Sequence, residues 1–456
     1  MPTSSSMSIT EIVSRMREVA PPGQLELSFS VREELTRLTR QLIETDCDAM
    51  PEYRRFTGIA RRELDLSQIP SELHDAYAGK RIVITGGTGC IGQALIGQLQ
   101  RCNPAHIYSI SRGHRPDKPR PGVTYLHADV SDLDSLLLAM AGARPDVVFH
   151  LAAQRSPWLA ERAVEETVAT NVIGTRNVLR ACRAIQVPRF VHSSTGKAMR
   201  YYTTDIYAAS KKMAEWLVHS YAAAGQNAGA ARFTHVVDNG VILQKIQEVI
   251  DNPEPGVLRI HEPDIQFYVQ SAIESAQLLM LAGLNQQPCQ LGMVAIRSLG
   301  DPISLLSLAC GKLKADSAPA RYSPIYLSGY DKGYERGNPP GLYDPMTAAD
   351  FSPLINAIEA AAATEESGVP AVDRFSLSLG REAAVVDSIV DQFADECEAG
   401  DAPAVAEHLA AAGKLLAASM FAECPPVLFE KLRKMANRAG VPLPCERISA
   451  DESSEC

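Results

Sequence analysis

The sequence lacks the devices that would tie a small or exported fold together. Its ten cysteines are scattered singly, with no Cys-x-x-Cys pair and no Cys/His ligand spacing, so neither a disulfide framework nor a zinc site is expected. No window carries an uninterrupted apolar run long enough to cross a bilayer, and the opening residues lack the apolar stretch of a secretion signal. Long Lys/Arg clusters are missing too, and the formal net charge is −10, which argues against nucleic acid or a membrane surface as the partner. A cytoplasmic, soluble protein with reduced thiols is the expectation. At 456 residues the chain is long enough for two or three domains, or for one large domain with appendages.

What is present centres on Arg81-Ile82-Val83-Ile84-Thr85-Gly86-Gly87-Thr88-Gly89-Cys90-Ile91-Gly92. A β-branched run suits a buried parallel strand, and glycines at 86, 89 and 92 allow a tight turn and close approach of the backbone to a pyrophosphate at a helix N-terminus. Downstream, apolar runs alternate with helical patterns at 92–100, 107–110, 123–126, 133–140, 147–151, 168–185 and 190–192. This predicts an α/β fold of Rossmann type: a doubly wound parallel sheet with a smaller substrate subdomain and helical N- and C-terminal extensions.

In such a sheet the ligand lies beyond the carboxyl ends of the strands. After the second strand comes Ser111-Arg112, with a hydroxyl and a guanidinium where an NAD-selective protein places an acid, so NADP is expected in preference to NAD. Asp129 and Val130 follow the third strand, and Asp129 is placed to accept from the adenine amino group. After the fourth, the small Ala152 and Ala153 let the backbone pass close to the cofactor. The chemistry is expected after the next strand. Tyr207 and Lys211, spaced i, i+4, share a helix face, so the ammonium can lower the phenol's pKa and hold the nicotinamide ribose while the tyrosinate acts as base. A hydroxyl from Thr195 or Ser194 would fix the substrate oxygen. Arg155, Lys197 and His235 are candidate substrate contacts, and Cys90 in the glycine loop is expected to pack rather than react.

The glycine loop, Ser111-Arg112, Ala152-Ala153, Thr170-Asn171-Val172-Ile173-Gly174-Thr175, Ser194-Thr195-Gly196-Lys197-Ala198, Tyr207/Lys211, Arg232-Phe233 and His261-Glu262-Pro263-Asp264 together resemble the extended short-chain dehydrogenase/reductases. More narrowly, the stretch from about Phe56 to Leu327 resembles their polysaccharide-biosynthesis branch, which includes UDP-N-acetylglucosamine 4,6-dehydratases and epimerases. The resemblance implies a tightly held NADP that oxidises a sugar at C4, with Tyr207, Lys211 and Thr195 in the oxidation and Asn171 near the cofactor. It also exposes departures. The acid of the family's Ser-Thr-Asp-Lys-Ala segment is Gly196 here, which cannot donate a proton to a departing hydroxyl. The connection from Thr195 to Tyr207 is longer than usual, and Asp205 is the nearest replacement acid. Thr234-His235-Val236 stands for Gly-Asn-Val, and Phe267-Tyr268 stands where an arginine precedes an aromatic near the diphosphate. The later Arg-Pro-Gly-Glu-Lys motif has no clean match; Lys332 and Arg336 remain there, to meet phosphate or to solvate a loop.

The domain reading is a helical arm at 1–55 (helices at 9–19 and 31–44), an NADP-binding domain at 56–340 with its substrate subdomain at about 233–340, and a helical extension at 341–456. Helices are expected in that extension at 351–363, 382–398, 404–421 and 427–439, with a disordered tail at 449–456. A homo-oligomer acting on a small molecule, such as a nucleotide sugar, is expected. The functional expectation is an NADP-dependent enzyme of the epimerase/dehydratase kind. The alternatives are an oxidoreductase of a non-sugar metabolite and a non-catalytic cofactor-binding scaffold.

Overall fold

The computed structural model describes residues 7–113, 116, 118–252, 256–284, 289–318, 321–330, 351–361, 369–377 and 385–439. Its contacts fall into two compact units, one of Glu63–Thr234, Ile273–Ser298 and Tyr343–Cys456, the other of Met1–Arg62, His235–Ala272 and Leu299–Leu342. Lys332 and Arg336, and the tail at 449–456, lie outside the described residues.

The larger unit is built on eight strands: β1 Arg81–Thr85, β2 His106–Ser111, β3 Val123–His127, β4 Val147–His150, β5 Arg189–Thr195, β6 Ala228–Phe233, β7 Gly292–Ile296 and β8 Val372–Ser376. They lie in the order β8-β7-β6-β5-β4-β1-β2-β3, and every neighbouring pair is parallel except β7 with β8. The β-branched composition of β1 and β4 follows from burial on both faces: Ile82, Val83, Ile84, Val147, Val148 and Phe149 are all inaccessible to solvent. The expected α/β sheet with flanking helices is what the chain forms.

The C-terminal region departs from expectation. Residues 372–376 were read as lying among helices, but they form β8, which runs antiparallel to β7 in a register that pairs Ile296 with Val372 and Gly292 with Ser376. The physical reason is the open edge of β7, whose backbone groups β8 satisfies. Asp373 then ties the segment down, accepting from Arg297 Nε at 2.6 Å and from the Ser352 backbone N–H at 2.6 Å. Helices Val386–Ala399, Ala402–Glu423 and Pro426–Ala439 form near their expected positions, while among the described residues of the helix expected at 351–363 only Ala357–Ala361 is helical. Arg176 of helix Gly174–Ala184 meets Asp391 at 2.5 Å, so this region is built into the dinucleotide-fold unit.

In the smaller unit, helices Ile9–Val19, Phe29–Thr45 and Ala49–Ile59 are followed in the chain by Val241–Ile250 and Leu305–Asp316. Leu35, Leu38, Leu42 and Ile43 do form the buried stripe their spacing predicts, but they share one core with Ile246, Leu258, Leu313 and Tyr326. The N-terminal residues are therefore no separate arm: the stripe needs an apolar partner, and the middle of the chain supplies it. This division differs from the three sequential spans read from the sequence. Among the described residues no helix is long and apolar enough to cross a membrane.

Candidate functional site

The glycine loop joins β1 to helix Cys90–Gln100. Gly86 has φ +72°, and a Cβ there would stand 2.8 Å from the Ala152 nitrogen; at Gly92 it would stand 2.5 Å from the Gly86 carbonyl oxygen and 2.6 Å from Gly87 Cα. Neither position has room for a side chain. Gly89, at the helix N-cap, provides no side-chain acceptor, so the first helical N–H groups are left facing the loop with the positive end of the helix dipole. Thr88, Cys90 and Ile91 complete the turn, and these features fit a dinucleotide pyrophosphate. Gly92→Ala should force the helix off β1, with an overpacking cost of about 1–3 kcal/mol, and abolish measurable NADPH binding in a fluorescence titration.

Around this loop the strand ends converge. Ser111 closes β2. Arg112 is exposed, with Nη1 3.5 Å from Glu166 Oε1 and 3.8 Å from Asp129 Oδ2. Asp129 also accepts from the Ser131 N–H and hydroxyl, while Asp132 caps the next helix. Val130 packs where a Cβ on Gly174 would come within 2.7 Å. After β4, Ala152 and Ala153 pass the loop, and the Ala152 N–H lies 3.3 Å from Thr85 Oγ1. Asn171 sits in the π-helical turn Ala169–Ile173, a distortion that turns its side chain out of regular helical register. Its Oδ1 accepts from the Gln154 N–H at 2.8 Å, and its Nδ2 donates to the Gln154 carbonyl and to Ser210 Oγ. Asn171 thus ties the segment after β4 to the helix that carries Tyr207, a linkage of residues whose spacing in sequence does not announce it.

Helix Ile206–Ala223 places Tyr207, Lys211 and Glu215 on one face at successive i+4 steps. Tyr207 is a half-buried residue whose phenol pKa is raised: burial drives the rise, a hydrogen bond from Thr195 opposes it, the charge of Asp205 adds to it and Arg155 opposes it. Lys211 corrects an expectation. It is buried, and its Nζ donates to the Ser193 carbonyl at 2.7 Å and lies 3.3 Å from His192 Nε2, so two of its three donors are spent on β5 and not on the phenol. The His192 ring lies 5.5 Å from that of His150, tilted 38° to it, and His150 is held between Thr85 and Thr175 hydroxyls. Burial, followed by the charge of Lys211, lowers both imidazoles, His150 to about 3. They are neutral supports for Lys211.

Burial brings the Lys211 ammonium down to about 8, and the neighbouring Lys212 likewise to about 8. Both folded-state values lie below that of an unfolded lysine, so the folded chain binds fewer protons across the interval between them. The destabilisation is complete below pH 8 and is relieved as pH rises from about 8 towards 10.5. Urea midpoints should therefore rise from these two groups over that range, and Lys211→Met should flatten part of the rise.

Ser194 is corrected as well. Its hydroxyl donates to Glu215 Oε1 at 2.5 Å in the protein interior, so of the two candidate hydroxyls only that of Thr195 stays beside Tyr207. Lys197 pairs with Asp205 at 3.1 Å, and the other Asp205 oxygen caps the Tyr207 helix through the Ala208 N–H. Both Asp205 oxygens are thus engaged, and the residue is no free acid. Gly196 has no room for a side chain: a Cβ there would lie 2.5 Å from Leu354 Cδ2. Arg155 is exposed on the Tyr207 side. His235 belongs to the smaller unit, set edge-on against Phe267, with burial lowering it to about 4.

Sequence reasoning missed a buried ionic cluster behind this centre. Arg232, fully inaccessible, donates to both oxygens of Glu215 at 2.7–2.8 Å and to both oxygens of Glu359 at 2.7 Å. Burial alone would raise Glu215, but Arg232 holds it below its ordinary value. The i+4 step from Lys211 to Glu215 and the Arg232-Phe233 pair are its traces in the sequence, but neither shows that Arg232 and Glu215 meet.

The strand order, the glycine loop and the Tyr-x-x-x-Lys helix beside β5 define an extended short-chain dehydrogenase/reductase fold. Within that class the chain belongs to the family described as polysaccharide biosynthesis protein, whose model matches residues 82–320. It is 26% identical over 278 residues to the probable polysaccharide biosynthesis protein EpsC of Bacillus subtilis, covering 58% of this chain and 45% of that one. The chain thus spans about half the length of such a relative. It is also 37% identical over 116 residues to the 2-alkyl-3-oxoalkanoate reductase of Stenotrophomonas maltophilia, 25% of this chain and 33% of that one. The solved structure of Pen from Bacillus thuringiensis matches with TM-score 0.54 and 22% identity over 67% of this chain and 88% of that one, a likeness of fold.

Proposed function

We propose that the chain is an NADP-dependent enzyme that moves hydride at a carbinol or ketone carbon, with a nucleotide sugar as its substrate and epimerisation or redox as its net reaction. The observation that carries this reading is the half-buried Tyr207, hydrogen-bonded to Thr195, in the same unit as the glycine loop. A bound nicotinamide would supply the hydride acceptor. Tyr207 takes the substrate's hydroxyl proton on its phenolate oxygen, which Thr195 and Arg155 stabilise against burial and the charge of Asp205. Lys211, anchored on Ser193 and His192, keeps one donor for the nicotinamide ribose. Support for NADP is Arg112 at the end of β2, free to trade its long contacts to Asp129 and Glu166 for a 2′-phosphate.

Elimination of water is not part of this reading, because Gly196 carries no acid and Leu354 fills the space above it. Incubation with UDP-glucose and UDP-N-acetylglucosamine, followed by mass spectrometry and NMR of the sugar, should give an epimer or keto sugar; a 4-keto-6-deoxy product would refute it. A non-sugar ketone is the second reading, supported by the local similarity to an oxoalkanoate reductase. Turnover of a 3-oxoalkanoate with NADPH, and of no UDP-sugar, would replace the first reading by the second.

A further inference from the structure

Residues 352–361 reach the catalytic turn from far along the chain. Asn356 Nδ2 donates to the Met199 carbonyl at 2.9 Å, at the end of the turn Gly196–Met199. Leu354 lies over the bare Cα of Gly196 at the start of the same turn, and its carbonyl accepts from Arg232 at 3.0 Å. Asn356 is itself locked, its Oδ1 accepting from the Ile358 and Glu359 N–H groups and its own N–H donating to Glu359. The turn also engages Thr195: the Lys197 N–H donates to Thr195 Oγ1 at 3.4 Å, which occupies an acceptor site of the hydroxyl and keeps its proton available for Tyr207. All these residues belong to one compact unit, and Leu354, Asn356 and Glu359 are buried.

We propose that Asn356 and Leu354 are positioning residues of the reactive centre, holding the Gly196–Met199 turn so that Thr195 donates its hydrogen bond to Tyr207. This rests on the reading of Tyr207 as the base. The 352–361 segment is therefore a working part of the centre, and Gly196 is glycine because the segment needs the space. Leu354 and Asn356 act through Thr195 and touch no reacting atom.

The test uses the full chain and needs no substrate. The near-ultraviolet absorbance of tyrosinate is followed against pH, and each protein is subtracted from its Tyr207→Phe counterpart to isolate Tyr207. Thr195→Val should raise the Tyr207 midpoint by about half to one pH unit, the size expected for loss of one hydrogen bond to the phenolate. Asn356→Ala should raise it by a similar amount, and Asn356→Ala with Thr195→Val should raise it no further, while NADPH affinity stays unchanged. Leu354→Ala, which keeps every polar group, gives a second variant that should move the midpoint in the same direction should Asn356→Ala fold poorly. A shift in Thr195→Val with none in either Asn356→Ala or Leu354→Ala overturns the positioning role and leaves Tyr207 as base. No shift in Thr195→Val overturns the positioning role through Thr195 outright. Full turnover in Tyr207→Phe is the separate outcome that removes the base itself.

Discussion

Tyr207→Phe is expected to lose turnover by about 10²–10⁴-fold, the range for removal of a positioned general base, while NADPH affinity is unchanged. The substitution deletes only the phenolic oxygen. The ring stays at the start of helix Ile206–Ala223, and the residues proposed to cradle the dinucleotide, Gly86, Gly92 and Asn171, make no contact that depends on that oxygen. Initial rates with UDP-glucose and UDP-N-acetylglucosamine, set beside a fluorescence titration with NADPH, check both halves. Lys211→Met should behave differently. Its ammonium is bonded to the Ser193 carbonyl and stands beside His192, so its loss should weaken cofactor affinity as well as rate.

Arg232→Ala is expected to destabilise the larger unit by about 3–5 kcal/mol, because it strands two buried carboxylates. Glu215 and Glu359 each place both oxygens on the guanidinium, and all three side chains are 3% exposed or less. The cluster also includes Ser194 through Glu215 and lies beside Lys212, whose Nζ donates to the Ala198 carbonyl. Removing these charges together should be far milder: Arg232→Met with Glu215→Gln and Glu359→Gln strands no carboxylate, and Lys212, left without its two acidic neighbours, can give up its proton. Urea denaturation of the single and triple variants checks this. A single variant no less stable than the triple would mean that the carboxylates find water or another cation.

The parts of the centre that were legible in the sequence are those made by local spacing. Gly86, Gly89 and Gly92 lie within one turn and a helix start, and Tyr207 and Lys211 lie one helical turn apart. Strand parity was also available. Adjacent residues of a strand point to opposite faces, so Ser194 and Thr195 of β5 could not both meet a substrate. Which of them faced inward depended on Glu215, whose carboxylate takes the Ser194 hydroxyl. Lys211 was placed correctly on the helix face, but its partners Ser193 and His192 come from β5, and helical spacing says nothing of a neighbouring strand.

The least legible feature was the role of the C-terminal region. Alanine and glutamate around it favour helix, and Val372–Ser376 is short enough to disappear into that background; only the unpaired edge of β7 makes it a strand. The packing of Leu354 on Gly196 joins residues from two separate chain segments of the larger unit. The family resemblance implies that Gly196 stands in place of an acid, but the side chain that takes the space becomes visible only once the chain is folded.

The most direct test of the central claim, that this unit binds NADP and brings it to Tyr207, is mass spectrometry of nucleotide released from the purified full chain by denaturation, beside the same measurement on Gly92→Ala. The account predicts NADP or NADPH from the native protein and none from Gly92→Ala, whose added Cβ would close the loop against Gly86 and Gly87. Release of NAD alone would contradict the role given to Arg112. A native protein that releases no nucleotide and does not alter NADPH fluorescence on titration would contradict the central claim.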